Sequence, residues 1–183
     1  MKSVNVQDLN EEKIKELKAG DSLMISGIIY TARDAAHKRM SDGFKEKGSF
    51  PFDIRGQAIY YAGPCPAKPG EVIGSCGPTT AGRMDAYAPL LLDNGLKIMI
   101  GKGGRNQAVK DAVVRNKALY LGVAGGLGAL IASCIKKEEV IAYPDLETEA
   151  IRKLWVTDLP CTVLLDTYGN DFYEQAKNMY KKS

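Results

Sequence analysis

Residues 96–123, LKIMIGKGGRNQAVKDAVVRNKALYLGV, decide the fold. Asn94-Gly95 turns the chain into an apolar run at 96–100 that suits a strand. Residues 107–116 then read as a helix and 118–123 as a second strand. Strand, helix and strand in that order point to a layered α/β domain.

The alternation extends both ways. Toward the N-terminus, residues 4–17 read as a short strand or arm followed by a charged helix, EEKIKEL. Ala19-Gly20-Asp21 turns into a β-rich run at 22–31, and 34–40 is predicted helical. Asp34 stands near that helix start, where a carboxylate complements orphan amides. Residues 44–52 hold Gly48 and Pro51 and read as loop, 57–62 as a short apolar run, and GPCPAKPG at 63–70 as a rigid loop. Residues 72–75 suit a strand and 84–92 a helix. Toward the C-terminus, 125–135 reads as a small-residue helix or turn. Residues 147–156 read as an amphipathic helix with Ala150, Ile151, Leu154 and Trp155 on one face. A buried-type strand at 161–166, a turn at Tyr168-Gly169-Asn170 and a polar, frayed tail complete the pattern. No linker divides it, so residues 1–183 are expected to form a single domain.

At 183 residues, with 45% apolar and 26% charged residues, the chain can bury a sizeable core and fits no disordered, collagenous or coiled-coil class. The net charge is +3, with bases interleaved among acids, which is no nucleic-acid footprint. No apolar run approaches the roughly 18–20 residues of a membrane span, and the start lacks the apolar core of a signal peptide. A cytoplasmic location is expected. Cys65, Cys76, Cys134 and Cys161 share no C-x-x-C spacing, and His37 is the single histidine. A self-contained metal site or a disulfide framework is therefore not expected.

Two glycine-rich stretches fail as nucleotide motifs. Gly125-Gly126-Leu127-Gly128 is out of register for G-x-G-x-x-G, and Gly101-Lys102-Gly103 lacks the flanks of a P-loop. Three segments keep their interest. TARDAAHKR at 31–39 follows an apolar strand, where open α/β sheets place ligands, although a solvated helix face reads equally well. GSCGPTTAGRMD at 74–85 suits a fixed loop that approaches an anion closely; its alternative is N-capping by Thr79 or Thr80 with Arg83 merely exposed. In Gly101-Lys102-Gly103-Gly104 the alternative is a solvated lysine. Arg33, Arg83 and Lys102 are thus cations at three strand-end loops. Converged, they suit a small di-anion. A hydroxyl among them serves proton transfer only if a neighbour or a metal lowers its pKa.

GIIYTARDAAHKR, YYAGPCP, GSCGPTTAGRMDAY, MIGKGG, YLGVAGGLGALIA and LPCTVLLDTYGN, in that order, resemble the β subunit of class I, iron–sulfur-dependent fumarate hydratase and L(+)-tartrate dehydratase, and the matching C-terminal domain of single-chain class I fumarases. The resemblance runs from about residue 17 to 173. It implies a swivelling β/β/α fold and a partner α subunit, in an α2β2 assembly, that carries a [4Fe–4S] cluster acting as a Lewis acid. It further implies reversible hydration of a C4 dicarboxylate: fumarate with (S)-malate, or L-tartrate with oxaloacetate. By the same resemblance, Arg33, Arg83 and Lys102 bind substrate carboxylates and Thr80 lines the pocket. Thr79 matches the proposed base for the C3 proton, while Asp34 and His37 support. Cys76, beside GPTT, is read as a packing residue rather than a cluster ligand. A stand-alone anion-binding or assembly module without chemistry remains the alternative, and the sequence does not choose between fumarate and tartrate.

Overall fold

A computed structural model describes residues 1–180. Among them run seven strands: β1 (Lys2–Asn5), β2 (Ser22–Thr31), β3 (Ala58–Tyr60), β4 (Ile98–Gly101), β5 (Leu119–Gly122), β6 (Ile135–Ala142) and β7 (Ile151–Leu165). The helices are α1 (Glu11–Glu16), α2 (Asp34–Lys47), α3 (Ala88–Asp93), α4 (Gln107–Arg115), α5 (Gly128–Cys134) and α6 (Phe172–Tyr180), with short 3₁₀ turns between.

The class is mixed α/β. Strands β2, β3, β4 and β5 pair in parallel, joined by α2, α3 and α4. The long β7 runs antiparallel to β5 and also to β2, which closes the sheet into a barrel. One edge of β2 is shared by β1 and β3, and its other edge pairs with β7. The far edge of β7 is shared in the same way by β6 and β5. Alternation along the short strands separates two cores. Ala58, Tyr60, Ile98, Ile100, Leu119 and Leu121 face an inner cluster with Leu23, Ile25 and Val163. Ile59, Met99 and Tyr120 face the opposite way, against Met40 of α2, Leu91 of α3 and Val109 of α4.

The strands around the deciding stretch lie within two residues of expectation, and β2 matches it end to end. Several expectations need correction. Residues 147–156 are not a helix: a 3₁₀ segment, Pro144–Glu149, gives way to β7. The i, i+4 spacing of Ala150 and Leu154 is overridden because β2 and β6 pair with this β-branched and aromatic run on both edges. Residues 135–142, of which the expected small-residue segment reached only 135, form the edge strand β6, where Lys136, Lys137 and Glu139 are exposed. Residues 72–75 form no strand: a single backbone bond, from the Cys65 N–H to the Ser75 carbonyl at 2.9 Å, stands in place of a ladder, and Gly74 sits against the carbonyls of Cys65 and Pro66. Helix α2 continues through Phe44 to Lys47, stopping where Gly48 adopts φ +69° and donates its N–H to the Phe44 carbonyl. The expected helix at 84–92 is a 3₁₀ turn, Ala81–Met84, and the later α3. The tail is helical in α6 and tied to α4, with Lys110 2.7 Å from Asp171 and 2.6 Å from Glu174.

Candidate functional site

Strand register brings the three loops together. Thr31, Tyr60, Ile100 and Leu121 form one row across β2–β5. Two residues beyond that row, Arg33 and Lys102 leave the sheet at the same end. Residues 78–81 insert between the ends of β3 and β4. Thr79 donates its N–H to the Tyr61 carbonyl at 2.7 Å, Lys102 donates to the Thr79 carbonyl at 3.4 Å, and Ala81 donates to the Lys102 carbonyl at 2.9 Å. Thr80 and Lys102 are thereby bridge partners. Thr80 begins the 3₁₀ turn without a side-chain cap bond, so the capping alternative is not realised for it.

Arg83, on that turn, is 59% exposed and points its Nη1 to Asp34 Oδ2 at 3.5 Å. The same oxygen lies 3.8 Å from Arg33 Nη2. Asp34 lies in the first turn of α2, as expected, accepts no helix N–H, and stands between two arginines. The capping role falls to Glu149, whose Oε2 accepts the Ala35 N–H at 2.9 Å while Oε1 lies 3.3 Å from Arg33 Nη2. Gly63 lets Arg33 lie flat: a Cβ there would stand 2.9 Å from Arg33 Cδ and 3.0 Å from the Thr148 carbonyl. Arg33 Nε and Asp34 Oδ1 are buried without hydrogen-bond partners among the described residues.

His37, one turn into α2, lies in the interior behind the cations. Its Nδ1 donates to the Arg33 carbonyl at 3.0 Å, and its ring meets Tyr61 edge-on at 5.3 Å. Burial, opposed by that hydrogen bond and helped by nearby Arg105, pushes its pKa down to about 4. A neutral ring fits a supporting position better than proton donation. Lys102 is exposed, with Gly125 against its side chain. Gly128 is packed so closely that a Cβ would collide with Ser75 Oγ, so the second glycine run serves a turn and close packing.

Sequence reading assigned no role to four residues of this neighbourhood. Glu149 lay in the segment taken for a helix. Asp85 closes GPTTAGRMD, and its chain position was its signal. Tyr61 lay in the apolar run 57–62 and in YYAGPCP, while Arg105 carried no signal, because an arginine reads as surface. Arg105 is in fact fully buried, with Nε 2.6 Å from Asp85 Oδ1 and Nη1 3.3 Å from Tyr61 Oη. Burial disfavours its charge, but Tyr61 and Asp85 outweigh that and raise its pKa.

The thiols offer no cluster site. Cys76 and Cys161 are buried, Cys65 is exposed and Cys134 lies between; among the described residues no three His, Cys, Asp or Glu side chains converge. The described side chains thus bring together no donor set that an iron–sulfur cluster would fit. No described helix is long and apolar enough to cross a membrane.

The sequence model of the family described as Fumarase C-terminus matches residues 1–176. The anaerobic class I fumarate hydratase of Escherichia coli K12 is 41% identical over 168 residues, 91% of this chain but 31% of that protein. Fumarate hydratase 2 of Leishmania major is 36% identical over 170 residues, 92% of this chain and 30% of its own length. A Methanocaldococcus jannaschii protein, provisionally named L(+)-tartrate dehydratase subunit beta, is 34% identical over 181 residues, covering 95% of this chain and 93% of its own. The chain thus spans about a third of the fumarate hydratases it matches and nearly all of the β-subunit relative.

Proposed function

The chain belongs to the Fumarase C-terminus family, a family of hydro-lyases, and from that membership we propose that it is the β subunit of an enzyme that reversibly hydrates a C4 dicarboxylate. The pair fumarate and (S)-malate comes first, with L-tartrate and oxaloacetate next. The partner is an α subunit, in an α2β2 assembly, and the [4Fe–4S] cluster falls to that subunit. In this reading residues 1–183 are one domain of swivelling β/β/α type in the cytoplasm. The closed barrel with α2, α3 and α4 on its outer face supports the fold type, and the family match over 1–176 supports the single domain.

One observation carries the proposal. Arg33, Arg83, Thr79, Thr80 and Lys102, scattered over seventy positions of sequence, share one rim, linked through Asp34 and the Thr80–Lys102 bridge. Arg33, Arg83 and Lys102 bind the two carboxylates, with Thr80 beside them. The same cations stabilise the charge that moves onto a carboxylate when C3 loses its proton, and Thr79 Oγ takes that proton once its own has passed to a group that the partner subunit supplies. His37 holds the Arg33 carbonyl, and Asp34 spaces the arginines. The charge balance also favours a partner. Three cations against two carboxylates, Asp34 and Glu149, leave one positive charge for a ligand that carries two negative ones.

The test is anaerobic co-expression with the candidate partner, iron–sulfur reconstitution, and assay on (S)-malate and L-tartrate side by side. Turnover of either acid by the complex and by neither chain alone is expected. No turnover of either acid overturns the proposal. Appreciable malate binding by the isolated chain favours the anion-binding module instead.

A further inference from the structure

We propose that Arg105 and Asp85 are positioning residues that set the spacing of Arg33, Arg83 and Lys102; what those cations bind rests on the reading above. A guanidinium with no exposed surface is costly unless paired and hydrogen-bonded, so its partners are fixed. Asp85 takes Arg105 Nε on one oxygen and the Asn106 N–H on the other, at 2.6 and 2.7 Å. The loop that begins at Lys102 is thereby fastened twice to the residue two places after Arg83. Arg105 also lies over the rings of Tyr61 and Tyr120, 5.3 and 5.0 Å from their centroids. Tyr120 Oη donates to the carbonyl of Gly103, next to Lys102, at 2.9 Å. The Tyr61 carbonyl holds Thr79, and the Tyr61 ring rests against His37, which holds the backbone of Arg33. Every cation-bearing loop is therefore tied to one guanidinium through contacts that face away from the rim. Lysine keeps the charge but lacks the planar fork, so it satisfies Asp85 without also reaching Tyr61 and stacking between the rings.

The experiment compares Asp85→Asn and Arg105→Lys in the assembled α–β complex, with (S)-malate as probe. Each is expected to raise KM at least tenfold with a smaller change in kcat, the pattern of lost uniform binding. In a Lys102→Ala background the Asp85→Asn factor should shrink below threefold, because one cation it spaces is gone. Hydrogen exchange, read without turnover, should quicken at least tenfold for amides in 79–85 and 102–106. Equal KM factors in both backgrounds, or unchanged exchange in both variants, overturns the inference. If Asp85→Asn does not fold, Arg105→Lys alone decides. A wild-type complex inactive on malate and tartrate overturns the hydro-lyase reading, while exchange still decides the positioning.

Discussion

Asp34 Oδ2 stands 3.5 Å from Arg83 Nη1, joining the first turn of α2 to the 3₁₀ turn that follows GPTT. The two residues lie forty-nine positions apart, and no strand pairing links them. Their contact is between partly exposed side chains, and such pairs contribute about 0–1 kcal/mol to stability. What the pair does is hold Arg83 on the rim beside Arg33.

Arg83→Ala should therefore separate stability from function. The melting temperature should change by no more than a few degrees. In the assembled complex, KM for the dicarboxylate should rise roughly ten- to a hundredfold, about 1.4–2.7 kcal/mol from the KM change alone, with kcat also lower. Wild-type kinetics in this variant would remove Arg83 from the site.

Gly63→Ala and Gly43→Ala form a contrasting pair. The first puts a methyl against Arg33 and the Thr148 carbonyl, so turnover of the complex should fall. The second adds a methyl within α2 where nothing lies within 4 Å, and should stabilise by about 1 kcal/mol through helix propensity with unchanged kinetics. Thermal melts and steady-state assays read both; equal activities would mean that Gly63 does not govern Arg33.

His37 makes stability depend on pH in a defined direction. Its folded pKa, about 4, lies below its ordinary 6.5. Between those values the unfolded chain takes up a proton that the folded chain refuses, so stability falls as pH falls through that window and its contribution is flat above 6.5. The loss approaches about 3 kcal/mol at the acid end. Denaturant titrations at pH 7 and 4.5 should show a smaller drop for His37→Gln than for wild type; parallel drops would place the titration elsewhere.

The thiols should differ in reactivity. Burial pushes Cys76 and Cys161 up to about 12, which leaves roughly one thiolate in ten thousand at pH 8. Cys65 is exposed. Alkylation of the native chain followed by peptide mapping should therefore mark Cys65 first and leave Cys76 and Cys161 unmarked until denaturant is added. Early labelling of Cys76 would contradict its packed position.

The strands of the parallel half were legible because β2, β3, β4 and β5 are apolar runs, and turns at Ala19-Gly20-Asp21 and Asn94-Gly95 lead into two of them. The β6–β7 half was legible only at 161–166, where the expected strand is the end of β7. Residues 151–156 carry spacing that suits a helix face as well as a strand, and only pairing with β2 and β6 decides between them. The rim cations were recognisable as residue types at strand ends, but Glu149 was not, because its partner Arg33 lies over a hundred positions away. Arg105 was hidden for the opposite reason: its burial depends on Asp85, Tyr61 and Tyr120 arriving from three other segments.

Closure by β7 carries a consequence for biosynthesis. A ribosome delivers Arg33, Thr79, Arg83 and Lys102 well before residue 151, so the nascent chain holds the whole rim while β2 and β5 each still lack a neighbour on one side. Open edges of that kind recruit other chains. A release at residue 150 would yield aggregate rather than a smaller working unit, and the synthesis of β7 determines whether the earlier residues ever meet.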